Sequence, residues 1–339
     1  MAIKLMISIC LVLAWKCIQG KYRYHGKGSL RLHPIFERFP YRVPANKRVR
    51  VIVNTDAANE ADDQYAIVQA LLTPKLDIRG FVATHFGTHR TDTSMEQSYD
   101  EIQRILRLMD MSEDYHVYRG STGCLNLGSP VISEGAQFIV DEAMRDDETE
   151  PLFAIFLGAI TDLAAAYKAK PEIAGRLTAV WIGGGAYPHG GEEFNLGNDV
   201  AAANIVFGSD IPLWQVPRDV YKMPRVSLAE LAVKVKPWGA IGEYLFRQLE
   251  EFNMLPTHTL RWPPGESWNM GDSPAVSLLI DDQNFDYELR HAPVIRDDMG
   301  YDHPGTARQI RVYKSVDSRF IMEDLYAKLQ LFYELKSSE

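Results

Sequence analysis

The sequence predicts an α/β fold: an open, mostly parallel sheet flanked by helices. Three observations carry this prediction. From Arg48 onward, short β-branched or apolar runs alternate with helical patterns, an order that sets strands in parallel with helices on both faces. The run Leu152–Leu157 (LFAIFL) is apolar at every position, as a strand buried on both faces requires. No linker, internal repeat or low-complexity tract interrupts residues 48–336, which therefore read as a single domain.

The elements follow in order. Arg48–Asn54 (RVRVIVN) alternates and is rich in β-branched residues, which suits the first strand. Asp62–Leu72 is helical and is stopped by Pro74. Leu76–Thr84 is the second strand, and Ser94–Met109 sets Ile102, Ile105, Leu106 and Met109 at helical spacing. After the apolar strand, Thr161–Ala169 forms a helix closed by Pro171. Leu177–Gly183 and Ile211–Val216 read as strands, with a helix over Asp199–Phe207 between them. A strand at Gln309–Val316 and a helix started by Asp317 and reaching Leu335 complete the order.

Composition sets the outer limits. The 339 residues are 46% hydrophobic, as in an ordinary globular chain, which argues against wholesale disorder. A formal charge of −9 argues against a nucleic-acid partner, because such a surface has to neutralise phosphates. Residues 1–20 (MAIKLMISICLVLAWKCIQG) follow the signal-peptide pattern, with Lys4 ahead of an apolar core, Leu5–Ala14, that is short for a bilayer span. The expectation is an exported protein, secreted or periplasmic, with no membrane span after leader removal; an uncleaved segment would leave it cytoplasmic or anchored. Residues 21–47, basic, aromatic and proline-punctuated, read as an irregular arm. Cys10, Cys17 and Cys124 show no metal-ligand spacing, and leader removal leaves Cys124 alone.

In open α/β sheets, ligands bind beyond the carboxyl ends of the strands. The loop after the first strand, N54-T-D-A-A-N-E-A-D-D63, carries Asp56, Glu60, Asp62 and Asp63. A helix N-terminus favours one or two acids, but four so close repel unless a cation neutralises them. Carboxylate oxygens are hard ligands, so calcium or magnesium is the natural occupant. Three further loops sit in equivalent places: F156-L-G-A-I-T-D162, the glycine-rich W181 to D199 segment, and W268-N-M-G-D-S-P-A-V276. The glycines alone are a weak nucleotide signal, since no GxGxxG follows the first strand.

Together these segments resemble the nucleoside hydrolase family over about residues 48–336. The family pattern is an aspartate-rich loop after the first strand, a GPLTN-like segment, an EFN segment followed by DPEAA, and a late aspartate before a Pro-Ala step. The corresponding segments are TDAANEADD, GAITD, Glu193-Phe-Asn195 with Asp199-Val-Ala-Ala202, and G271-D-S-P-A275. The resemblance implies a tightly bound Ca²⁺ at the strand ends, held by Asp56, Asp63, Asp272 and the backbone carbonyl of Thr161. It implies Asp56 as general base, and Asp62, Glu193, Asn195 and Asp272 as the residues that grip ribose. The expected reaction is calcium-dependent hydrolysis of the N-glycosidic bond of ribonucleosides, with metal-held water activated by Asp56 and attacking with inversion. The expected partner is a small-molecule nucleoside or related glycoside, and the family is commonly homo-oligomeric.

The chain departs from that pattern in four places. The usual aspartate two positions before the base is Asn54, the aspartate loop is two residues longer, the usual glycine-asparagine step is Gly87-Thr88, and the histidine that often precedes the late aspartate is Gly271. His85, His89, His189, His291, Tyr301 and His303 are candidates for the missing acid, and Trp262 and Trp268 for stacking. Two alternatives stay open: a calcium- and carbohydrate-binding protein without turnover, and a hydrolase of another glycoside on the same fold. An aspartyl phosphatase ranks last, because its first carboxylate would be Asn54.

Overall fold

Side chains alternate across the central strands, and both faces of the resulting sheet are covered. In the computed structural model, β1 (Val49–Thr55), β2 (Leu76–Ala83), β3 (Val117–Arg119), β4 (Leu152–Phe156), β5 (Leu177–Ile182) and β6 (Leu213–Val216) run parallel. β7 (Arg225–Ser227) and β8 (Ser267–Asn269) form a separate two-stranded ribbon. After β9 (Tyr287–His291) and the small pair β10 (Val294–Ile295) and β11 (Tyr301–Asp302), β12 (Gln309–Tyr313) returns to the main sheet. The sheet order is β3-β2-β1-β4-β5-β6-β12-β9, with only the edge strand β9 antiparallel. Val51, Val53, Ile155, Val180 and Ile182 enter the core on one face, and Ile52, Ala154, Phe156, Ala179 and Trp181 the core on the other.

The structure describes residues 33–126, 128, 132–255, 263–283 and 286–338. The expected leader, the first part of the arm and Trp262 lie outside these. Among the described residues, those up to 145 and from 150 onward form one compact unit, and 146–149, assigned apart from it, contain no helix or strand. Within the described arm, Pro34–Glu37 and Ala45–Lys47 are short 3₁₀ turns, and Ile35, Phe36 and Phe39 are buried in the core. Each such side chain contributes about 1.5–3 kcal/mol on burial, so this stretch is fastened by packing that its basic, proline-rich composition conceals.

The expected elements are present, all but one within one or two residues of their predicted ends; β12 stops at Tyr313, three residues short of the expected Val316. The helix at Thr161–Ala169 coincides with its prediction, and Asp317 caps the final helix by accepting from the Phe320 amide at 2.9 Å. Further elements are additional: β3, the helix Glu134–Ala143 capped by Ser133, the helix Gly239–Asn253, and the strands β7 to β11.

Candidate active site

The carboxyl ends of β1, β4 and β5 meet the N-terminus of the helix Ser273–Ile280 around a small, acid-lined pocket of about 60 Å³. Asp56, Asp62, Asp63, Glu193, Asn195 and Asp272 all border it. Asp56 leaves the end of β1 in a turn closed by the Asn59 amide on the Asp56 carbonyl, at 2.8 Å. Gly158 makes room for its carboxylate, since a β-carbon there would lie 2.6 Å from Asp56 Oδ1. Asp62 Oδ2 accepts from the Gly271 amide at 2.8 Å, tying the aspartate loop to the late aspartate. Asp63 accepts from the Thr55 hydroxyl. One oxygen each from Asp62, Asp63 and Asp272 lie within 4.8 Å of one another, and Asp56 Oδ2 is buried with no hydrogen-bond partner.

The electrostatics follow from that crowding. Burial and then the neighbouring Asp63 hold Asp56 well above the usual carboxylate range. Burial, Glu60 and Asp63 do the same to Asp62, and burial and Asp63 to Asp272. Glu60 is pushed up to about 7 by burial and Asp63, and Asp63 to about 6 by burial. Without a cation these carboxyls have to share protons, as Asp63 and Asp272 do through their mutual hydrogen bond. Buried hard oxygens, mutual repulsion and an unpartnered oxygen on Asp56 together fit a divalent cation.

Two predicted residues carry several hydrogen bonds within the protein. Thr161 is not among the residues bordering the pocket; from its loop Leu157 is. The Thr161 hydroxyl donates to Asp199 Oδ2 at 2.8 Å and meets His85 Nε2 at 2.9 Å. Because Nδ1 of His85 accepts from the Gly87 amide at 3.2 Å, the ring proton is assigned to Nε2, which donates to Thr161. Burial lowers the His85 pKa, so His85 is a neutral link in a buried network. Glu193 does border the pocket, but Oε1 accepts from the Asn195 amide (3.2 Å) and the Tyr221 hydroxyl (2.8 Å), and Oε2 from the Gly184 and Leu196 amides (both 2.8 Å).

Asn195 donates both amide hydrogens, to the Leu157 and Ile182 carbonyls at 2.7 and 2.9 Å, which fixes its orientation against β4 and β5. Beyond the pocket opens a cleft of about 500 Å³ bordered by Phe194, Tyr221, Trp268, Arg218, Lys222 and His89. Phe194 is 43% exposed there, so it is a cleft wall and not core packing. Of the six candidate acids, only His89 borders this cleft. His291 lies on the exposed edge strand, the His303 ring contacts the Pro188 carbonyl, and Tyr301 is buried against Gln215. Tyr221, Lys222 and Arg218 were not signalled by any motif; their position just after a buried parallel strand was the available clue.

Residues 51–323 match the family described as inosine-uridine preferring nucleoside hydrolase. The chain belongs to this family. It is 24% identical over 232 residues to the pyrimidine-specific ribonucleoside hydrolase RihB of Escherichia coli (strain SE11), covering 60% of this chain and 70% of that protein. Its fold is similar to a plant nucleoside hydrolase (TM-score 0.67, 19% identity, 83% of this chain and 99% of that one). It is also similar to a purine-preferring ribonucleoside hydrolase from Gardnerella vaginalis (TM-score 0.66, 19% identity, 84% and 99%). The nucleoside hydrolase assignment makes the chain a hydrolase of N-glycosyl compounds. One departure from the pattern, Asn54, has a partner in Asp162, which ends the GAITD segment. Asn54 Nδ2 donates to Asp162 Oδ2 at 3.2 Å, while Asp162 Oδ1 accepts from the Ser121 amide, the Ser121 hydroxyl and the Ser133 hydroxyl, at 2.7–2.8 Å. Where the family pattern has aspartate and then asparagine, this nucleoside hydrolase has asparagine and then aspartate, and the two form a carboxylate–amide pair.

Proposed function

We propose that this protein is a calcium-dependent ribonucleoside hydrolase in which Asp56 is the general base. The observation that carries this is the convergence of Asp56, Asp62, Asp63 and Asp272, buried and mutually repelling, beside a cleft large enough for a leaving group. Asp56, Asp63 and Asp272 would hold the cation, and carboxylate oxygens with flexible geometry suit calcium. When bound, such an ion supplies positive charge that offsets the carboxylates and acidifies an adjacent water.

The chain's own groups do the rest. Asp56 keeps one oxygen free of protein partners and takes the proton of the attacking water. Asp62 and Asn195, fixed by the Gly271 amide and by the β4 and β5 carbonyls, meet ribose hydroxyls. Positive charge develops on the sugar as the glycosidic bond breaks, and the clustered carboxylates, Glu193 included, stabilise it. The aromatic walls of the cleft, Phe194 and Trp268 among them, offer faces against which a leaving base can pack.

The test is base release from a panel of purine and pyrimidine ribonucleosides and their 2′-deoxy counterparts. Release from ribonucleosides, much slower from deoxy forms and abolished by chelation, is expected. A protein that binds calcium yet releases no base from any of them would refute the proposal.

A further inference from the structure

Tyr221 ends the short helix Arg218–Tyr221, just past β6, and borders both the acidic pocket and the larger cleft. Two contacts define its pose. Its hydroxyl donates to Glu193 Oε1 at 2.8 Å. Its ring lies 3.1 Å from the place a β-carbon on Gly271 would occupy, and Asp62 Oδ2 lies 3.2 Å from that same place. Position 271 is therefore no vacancy: an aromatic ring from a different element already fills the space beside Asp272.

Hydrogen-bond capacity then decides what a ligand meets. A carboxylate offers about four lone-pair sites. Three backbone amides and the Tyr221 hydroxyl occupy those of Glu193, so none remains for a sugar hydroxyl. The phenol oxygen has given its proton to Glu193 and keeps lone pairs of its own. It can accept from a ligand, but it cannot donate without giving up Glu193.

We propose that Tyr221 is a positioning and specificity-determining residue, which offers the sugar a hydrogen-bond acceptor in place of Glu193 and confines position 271 to glycine. This rests on the ribonucleoside hydrolase function proposed above. Tyr221 orients the ligand and does not protonate the leaving group.

Steady-state hydrolysis of uridine and inosine by the calcium-loaded protein tests the acceptor role. Tyr221→Phe keeps the ring and should raise KM about tenfold, one lost hydrogen bond, with kcat within about threefold. A ring that only packs would leave both constants unchanged, and that result overturns the role. Calorimetric titration with D-ribose reads the same contact without turnover. About tenfold weaker binding to Tyr221→Phe is expected; equal binding, or no ribose binding by the wild type, overturns the proposal. A wild type that binds ribose but hydrolyses no nucleoside would instead count against the proposed function alone. Thermal unfolding tests the confinement of Gly271: Gly271→Ala should lower the midpoint, and cost less than half as much when Tyr221 is alanine. Equal costs in both backgrounds overturn that part.

Discussion

Asp56 shows how a single residue's surroundings set its task. One of its oxygens is buried and unpartnered, a costly arrangement that a ligand, and not the protein, is placed to relieve. Replacing Asp56 by asparagine keeps the shape and removes the proposed base. The expected result is a kcat lower by about 10³-fold with the fold retained, measured by steady-state kinetics alongside circular dichroism; a kcat within tenfold of wild type would show that another group takes the proton. Residue by residue, the acidic site was legible because its members follow strands or open helices in recognisable order. Tyr221 was not, since a lone tyrosine after a strand carries no motif, and its meaning depends on Glu193 and Gly271 folding against it. Thr161 illustrates the reverse: the motif singles it out, but only the fold reveals that its hydroxyl donates to Asp199.

At the scale of elements, the Asn54–Asp162 pair ties the end of β1 to the start of the helix Thr161–Ala169. The three other donors to Asp162 extend that tie to Ser121, after β3, and to Ser133, the cap of the helix Glu134–Ala143. The division between its two oxygens makes a clean test. Asn54→Asp sets two carboxylates face to face, and Asp162→Asn removes the charge that receives the loop donors. Each should cost roughly 2 kcal/mol in chemical denaturation. Combining Asn54→Asp with Asp162→Asn restores an amide facing a carboxylate, with the direction of donation reversed, so the cost of the double variant should fall well below the sum of the two. Strict additivity would show that the pair is not coupled. The parallel strands and their helices were readable because buried strands are uniformly apolar and the helices carry breakers such as Pro74 and Pro171. Strand β3, three residues long, and the edge and ribbon strands were not, because short half-exposed segments leave no period long enough to detect.

For the whole molecule, the excess of acids becomes a statement about stability. Glu60 and Asp63 sit at about 7 and 6 in the folded, cation-free chain, above their ordinary values. The native state then binds more protons than the unfolded one between about pH 4 and 7, so cation-free stability should fall as pH rises through that window. Added calcium should restore it, and most strongly near neutral pH, where its ligands are deprotonated. Thermal unfolding at pH 5 and pH 7.5, with chelator and with calcium, checks this; a calcium shift as large at pH 5 as at 7.5 would contradict it. Among the described residues no helix is long and apolar enough to cross a membrane.

The most direct test of the central claim is a calcium titration of chelated protein, following bound metal and base release together. Activity should be absent at the start, rise in proportion to bound calcium and level off near one ion per chain. Turnover that persists with no metal bound, or calcium that binds while no ribonucleoside is cleaved, would contradict it.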